Sequence, residues 1–132
     1  MGNLATVQQM YAAFGRGDVP AILEHLDEAV EWEYGGNSTD VPWLQPRHGR
    51  EGAAAFFASL AELDIHRFEV KTLLEGEGVV VALIDIESTV KATGKKVGEE
   101  DEVHLWRFNS EGKVTRFRHR VDTHGHQVAW SG

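Results

Sequence analysis

The sequence predicts a single α+β domain over residues 1–132, with three N-terminal helices packed on a curved antiparallel sheet. Three observations predict it. Apolar residues at helical spacing fill the front of the chain, alternating segments fill everything after Asp64, and neither a linker nor an internal repeat separates the two. A chain of 132 residues has room for one core.

The elements follow in order. Leu4, Val7, Met10, Tyr11 and Phe14 recur at helical spacing after Asn3, read as a cap, and the run GRGD from Gly15 to Asp18 stops the helix. A second, shorter helix is expected from Val19 to about Leu26, with Pro20 in its first turn, where a missing N–H costs least. Val30, Trp32 and Tyr34 then alternate with Glu31 and Glu33 as a strand with one apolar face. Asn37 to Gly52 holds two of the three prolines and no periodicity, so it is read as a long loop with Trp43 packed at its middle. The alanine-rich segment REGAAAFFASLAEL gives a third helix, its stripe running through Ala54, Phe57, Leu60 and Ala61. Four long antiparallel strands follow at about 65–75, 78–92, 96–109 and 113–124, separated by the turns EGEG, TGKK and NSEGK. VVVALIDI is apolar at both parities, so that strand is expected to be covered on both faces, with a second copy of the chain on the outer one.

Composition removes several function classes. With 21 acidic against 13 basic residues and a net charge of −8, no overall field attracts nucleic acid or an anionic membrane. The absence of cysteine removes disulfides, thiolate catalysis and thiolate zinc sites, and fits a reducing cytoplasm. MGNLATVQQMYAAF carries no basic leader and no apolar run of spanning length, so neither export nor a membrane span is expected. No metal is expected: His124 and His126, with His119 or Asp122 nearby, lack a specific ligand spacing, and Gly125 between them suggests a flexible tail. No Gly-rich phosphate loop and no GxSxG nucleophile motif occurs, and no cofactor is expected.

Three segments carry a family resemblance: VQQMYAAFGRGDVPAILEHLDEAVEWE, then VPW and HGREGAAAFFASL, then VHLWRFNSEGKVTRFRHRVDTH. With this order of elements the whole chain resembles the nuclear transport factor 2-like (NTF2-like) superfamily, in its SnoaL-like and ketosteroid-isomerase-related branch. The resemblance implies a cone whose curved sheet encloses an apolar pocket, and a homodimer through the outer sheet face. It places Trp32 beside the pocket, and His104 where relatives carry an acidic donor to a substrate oxyanion. It matches Asp122 to the aspartate with which SnoaL-like cyclases remove a proton next to a carbonyl. Trp32 stands where steroid isomerases carry their carboxylate base, so that mechanism is not expected here. Tyr11, or equally Met10, falls near the donor tyrosine of those relatives.

The residues allow plainer readings beside these. His104 and Trp106 point to one side of their strand with Phe108, and His104 could be a satisfied core imidazole. Asp122 shares parity with Arg118 and Arg120 and could simply pair with them; only a bulge would bring it to the side of His119. The expected reading is a small-molecule-binding protein with Asp122 as base, His104 as acid or carbonyl polariser, and Trp32, Trp43, Trp106 and His119 shaping a site for a small hydrophobic carbonyl compound. The alternatives are a non-catalytic carrier or sensor of an apolar ligand, and a dimerisation module.

Overall fold

The computed structural model describes residues 2–33 and 41–131. Helix α1 runs Asn3–Gly15 and α2 runs Val19–Leu23, followed by strand β1, Leu26–Trp32. A 3-10 turn at Pro42–Leu44 and the short strand β2, Arg47–His48, lead into helix α3, Gly49–Ser59. Strands β3 (Leu63–Gly76), β4 (Val79–Val90), β5 (Lys96–Phe108) and β6 (Val114–Arg120) come next, and helix α4, Thr123–Trp130, ends the described chain.

All six strands form one sheet in the order β2-β1-β6-β5-β4-β3. The four long strands pair antiparallel as expected, but β1 lies parallel to β6, so the sheet is mixed. Local pattern fixes which residues form a strand and leaves its partner open. The expectation of three N-terminal helices holds in part: α3 sits after the first two strands, and α4 stands where a tail is expected. α1 is capped at Gly2 without a side-chain bond, so Asn3 is its first helical residue. In α2 the Asp18 carboxylate accepts the Ala21 N–H at 3.2 Å and Pro20 sits in the first turn. The buried face of α3 is Ala53 and Phe56, one residue before the expected stripe. Tyr34, and Asn37 to Asp40 of the expected loop, lie outside the described residues.

The core sits between the helices and the concave face of the sheet. Val7, Met10 and Ala13 from α1, Ile22 from α2, and Ala53 and Phe56 from α3 meet Val80, Trp106, Val114 and Phe117 from the strands. Trp32 lies at its centre, 1% exposed, with ring centroids 4.3 Å from Phe117, 5.4 Å from Phe56 and 5.9 Å from Trp106. Such spacings are those of favourable tilted and offset ring pairs.

Two departures from regular strand geometry decide what faces inward. Glu33 takes φ +58° just after β1, and Asp101 takes φ +61° inside β5; among the described residues they are the only non-glycine positions with positive φ. That region is sparsely populated by residues with a Cβ. At Asp101 the register slips, so that Ile84 faces Glu102 while Ile86 faces Glu99. Asp85 fills the bulge from β4 by accepting the Asp101 N–H at 3.0 Å. Inward parity therefore flips within β5, from Val97 and Glu99 to Glu102, His104, Trp106 and Phe108. The turn at Glu33 does the same after β1, leaving Trp32 and Glu33 both buried in succession.

Candidate functional site

Between the helices and the sheet lies a cavity of about 70 Å³ walled by Trp32, Trp43, Phe56, Phe57, Trp106 and Phe117 among others. Its polar groups are Tyr11, Glu102, His104, His119 and His126, with Ser88 beside them. In so apolar a wall every ionisable group is set by its few neighbours.

The first polar cluster is a directional chain. Trp106 Nε1–H donates to Tyr11 Oη at 3.1 Å, and the tyrosine hydroxyl donates to His104 Nδ1 at 2.7 Å, because the one proton of the neutral ring is held toward the Glu102 carboxylate, which only accepts. His104 then carries its proton on Nε2 and donates it to Glu102 Oε2 at 2.7 Å. Burial lowers the His104 pKa below the ordinary histidine value and outweighs the Glu102 carboxylate, so the ring stays neutral. Burial pushes Glu102 upward, yet the bond and charge of His104 prevail and hold its pKa below the usual carboxylate value. Burial also raises the Tyr11 hydroxyl far above its ordinary range, so it acts as a neutral donor.

The second cluster is the pair Glu33 and His119. The Glu33 carboxylate accepts the His119 backbone N–H at 2.9 Å and lies in ion-pair contact with His119 Nδ1, off the axis of a hydrogen bond. Burial pulls the imidazole pKa down, but the adjacent Glu33 charge wins and raises it above the ordinary value. His104 and His119 are direct partners across β5 and β6, with ring centroids 5.7 Å apart. Two neighbouring imidazoles are thus driven in opposite directions, one kept neutral and one favouring its charged form.

The third cluster belongs to α4. His126, 6% exposed, accepts the Trp43 indole N–H on Nδ1 at 2.8 Å, and its Nε2 lies 3.5 Å from Glu99 Oε1. This helix replaces the expected flexible tail. Asp122 caps it by accepting the Gly125 N–H at 3.1 Å, and its own N–H donates to Glu99 Oε1. A Cβ at Gly125 would stand 2.7 Å from the Asp122 carboxylate, so glycine here permits the cap.

The expected site residues therefore divide. His104, His119, Trp32, Trp43 and Trp106 all line the cavity. Asp122 does not: β6 ends at Arg120, and the aspartate is exposed on the surface as a helix cap. Its expected place as a pocket base is corrected by that geometry, and no bulge brings it beside His119. Sequence reasoning misses Glu33 and Glu102, each in an acidic run that reads as solvated. Parity alone places Glu102 with His104, a signal that is available in the sequence.

A curved mixed sheet backed by helices is the fold of the NTF2-like class. The chain belongs to the SnoaL-like domain family, whose model matches residues 7–117. Among solved structures it is similar to an NTF2-like protein of unknown function from Burkholderia pseudomallei, 25% identical over 100% of both chains with a TM-score of 0.79. An NTF2-like protein from Burkholderia xenovorans is 24% identical over 96% of this chain and 94% of that one, with a TM-score of 0.83. A Mesorhizobium loti protein described as a putative SnoaL-like polyketide cyclase shares the fold at 20% identity, over 92% of this chain and 100% of that one, with a TM-score of 0.72. No protein of curated function matches the chain.

Proposed function

We propose that this protein binds a small, mostly apolar carbonyl compound in its cavity and moves a proton on it without a cofactor. The observation that carries the reading is a carboxylate held ionised, Glu102, and an imidazole favouring its charged form, His119, in the wall of one apolar cavity, because nearby groups with opposed environments divide base and acid roles between them. Glu102 is the base. It is an ionised carboxylate in the cavity wall, in the role sequence reasoning gives to Asp122. His104 is a positioning residue: both its ring nitrogens are engaged, and through Nε2–H it holds Glu102 ionised and oriented. The acid role passes to His119, whose charged form donates to the carbonyl oxygen.

The step balances within these groups. Glu102 takes the proton from the carbon next to the carbonyl, the C–H electron pair becomes the enolate π bond, and His119 stabilises or protonates the oxygen. Return of the proton from Glu102 to the carbon, with any proton on the enol oxygen going back to His119, restores the carbonyl, the carboxylate and the imidazolium. The description of the M. loti relative as a polyketide cyclase supports chemistry next to carbonyl groups in this family.

Hydrogen–deuterium exchange next to the carbonyl reads this step without a known product. Wild-type protein in D₂O, incubated with a panel of aryl ketones and β-diketones, is expected to speed exchange of at least one bound compound, followed by proton NMR. Compounds that bind with no exchange would sink the catalytic reading and leave a carrier. The carrier reading has its own support, since the Tyr11–His104–Glu102 chain is already closed within the protein.

The same reading includes a cytoplasmic homodimer. Among the described residues no helix is long and apolar enough to cross a membrane. On the outer sheet face Val79, Val81 and Leu83 of β4 and Val103 and Leu105 of β5 remain half-buried in the single chain. Arg107 and its partner Arg116 stand at one end of this apolar centre, and Glu87 and Glu100 beyond the bulge at the other, so a two-fold axis would bring opposite charges together. Sedimentation velocity is expected to give a dimer for wild type and a monomer for Leu105→Asp; a wild-type monomer at tens of micromolar would remove this part.

A further inference from the structure

We propose that the α4 end of the cavity is a hydroxyl-recognition site, in which His126 Nε2–H donates to, and the Glu102 carboxylate accepts from, one hydroxyl group of an apolar, ring-bearing ligand, with Glu99 beside them. The site rests on the reading of the cavity as a small-molecule site and adds a functional group to its ligand.

A tautomer decides the chemistry of this corner. An indole N–H only donates, so the Trp43 bond to His126 Nδ1 leaves the lone pair on that nitrogen and puts the imidazole proton on Nε2. Nε2 is fully enclosed and has no hydrogen-bond partner, which is rare for a buried polar group. Glu99 Oε1 stands 3.5 Å away but off the line of the N–H. One ligating atom each from Glu99, Glu102 and His126 lies within 4.8 Å of the others, so the unpaired donor shares a small space with two carboxylates. Trp43, Glu102 and His126 all line the cavity.

Three chemical groups compete for such a corner. A divalent cation would suit the carboxylates, but it needs a lone pair on Nε2, and that nitrogen carries a proton while Trp43 donates to Nδ1. An ammonium group would satisfy the carboxylates and set donor against donor at His126. A hydroxyl suits a donor beside a carboxylate: its oxygen accepts from Nε2–H and its one proton goes to Glu102, while Glu99 Oε1 already accepts the Asp122 N–H. Glu102 can take that bond as well as the one from His104, since a carboxylate offers about four lone-pair sites. The aromatic wall selects what carries the hydroxyl, a flat or alicyclic ring system.

Matched probes test the inference. 2-Naphthol and 4-phenylphenol are compared with 2-methylnaphthalene and 4-methylbiphenyl, which replace the hydroxyl by a methyl group of similar size, with affinities from ligand-observed NMR. Each phenol is expected to bind at least ~10-fold tighter than its methyl partner, the advantage of one charge-assisted hydrogen bond. His126→Phe is expected to reduce that advantage to under ~2-fold, whatever it does to the affinity of the methyl compounds, because the ratio within each pair reads the hydroxyl alone. Independently of any variant, ¹⁵N spectra of wild type should show His126 protonated on Nε2, with that signal moving on addition of 2-naphthol but not of 2-methylnaphthalene. Equal affinity within the pairs would overturn the hydroxyl site and leave the cavity reading intact. Binding of none of the four would overturn both. Zn²⁺ or Mn²⁺ binding that His126→Phe abolishes, with Nε2 unprotonated in the free protein, would replace the hydroxyl site by a metal site.

Discussion

Replacing Trp32 with Ala is expected to destabilise the protein by about 3–5 kcal/mol, the range for truncating a fully buried large aromatic. Trp32 is 1% exposed and its ring reaches Phe56, Phe57, Trp106 and Phe117, so it ties the first strand, the third helix and the last two strands together. Those neighbours are anchored on separate backbone elements and cannot all move into the space, so most of the void persists. Urea unfolding with an unchanged slope reads the loss, and the melting temperature should fall by about 10–20 °C. A loss under about 1 kcal/mol would mean that the surrounding rings collapse onto the gap. Trp32→Phe separates packing from polarity. Trp32 Nε1 is buried without a hydrogen-bond partner. Phenylalanine gives up ring volume but also removes that orphaned donor, which itself costs about 1–3 kcal/mol. The two effects oppose each other, so the net loss should be well under half that of the alanine variant.

The sequence is readable where local pattern matches the final environment. Turn signals and apolar runs locate β3, β4 and β5 to within a few residues, and helical spacing locates α1 and α3, because each element's pattern is local to it. The aromatic wall is readable for the same reason: Trp32, Trp43 and Trp106 are large rings in otherwise regular patterns, and all three line the cavity. The acids are not. Glu33 is brought inside by its own left-handed backbone, and Glu102 shares the interior with Glu99 because a bulge at Asp101 inserts one extra residue between them. Strict period-two reading sends Glu33 outward and cannot place both Glu99 and Glu102 on one face. Backbone irregularity concentrates at functional sites, so the polar layer is hidden where a simple pattern is least informative. Asp122 fails for a different reason. The motif around it matches the family, while the Asp-x-x-Gly spacing that makes it the cap of α4 looks like the start of a tail. Capping signals are as local as strand signals, and this one outweighs the resemblance.

The largest expected effect on chemistry is that of Glu102→Gln, which should lower the proton-exchange rate by about 10²–10⁴-fold, the span for loss of a general base. Glutamine keeps the size of the side chain and an acceptor for His104 Nε2–H, so ligand affinity should change far less than the rate. Asp122→Asn is the control. Its side chain reaches only the α4 cap. Exchange should stay within about 2-fold of wild type, whereas a loss as large as that of Glu102→Gln would return the base role to Asp122. The pH profile distinguishes a catalytic from a merely structural glutamate. The base works when ionised, so the rate rises through the Glu102 pKa, which lies below the usual carboxylate value near ~4.3. The acid works when protonated, so the rate falls through the His119 pKa, which lies above the usual ~6.5. The active plateau is therefore wider than free glutamate and histidine would give. Glu33→Gln removes the charge that raises His119 and leaves burial, which lowers it, so the alkaline limb should move to lower pH while the acid limb stays. An alkaline limb that does not move in Glu33→Gln would take His119 out of the mechanism, whatever happens to the overall rate.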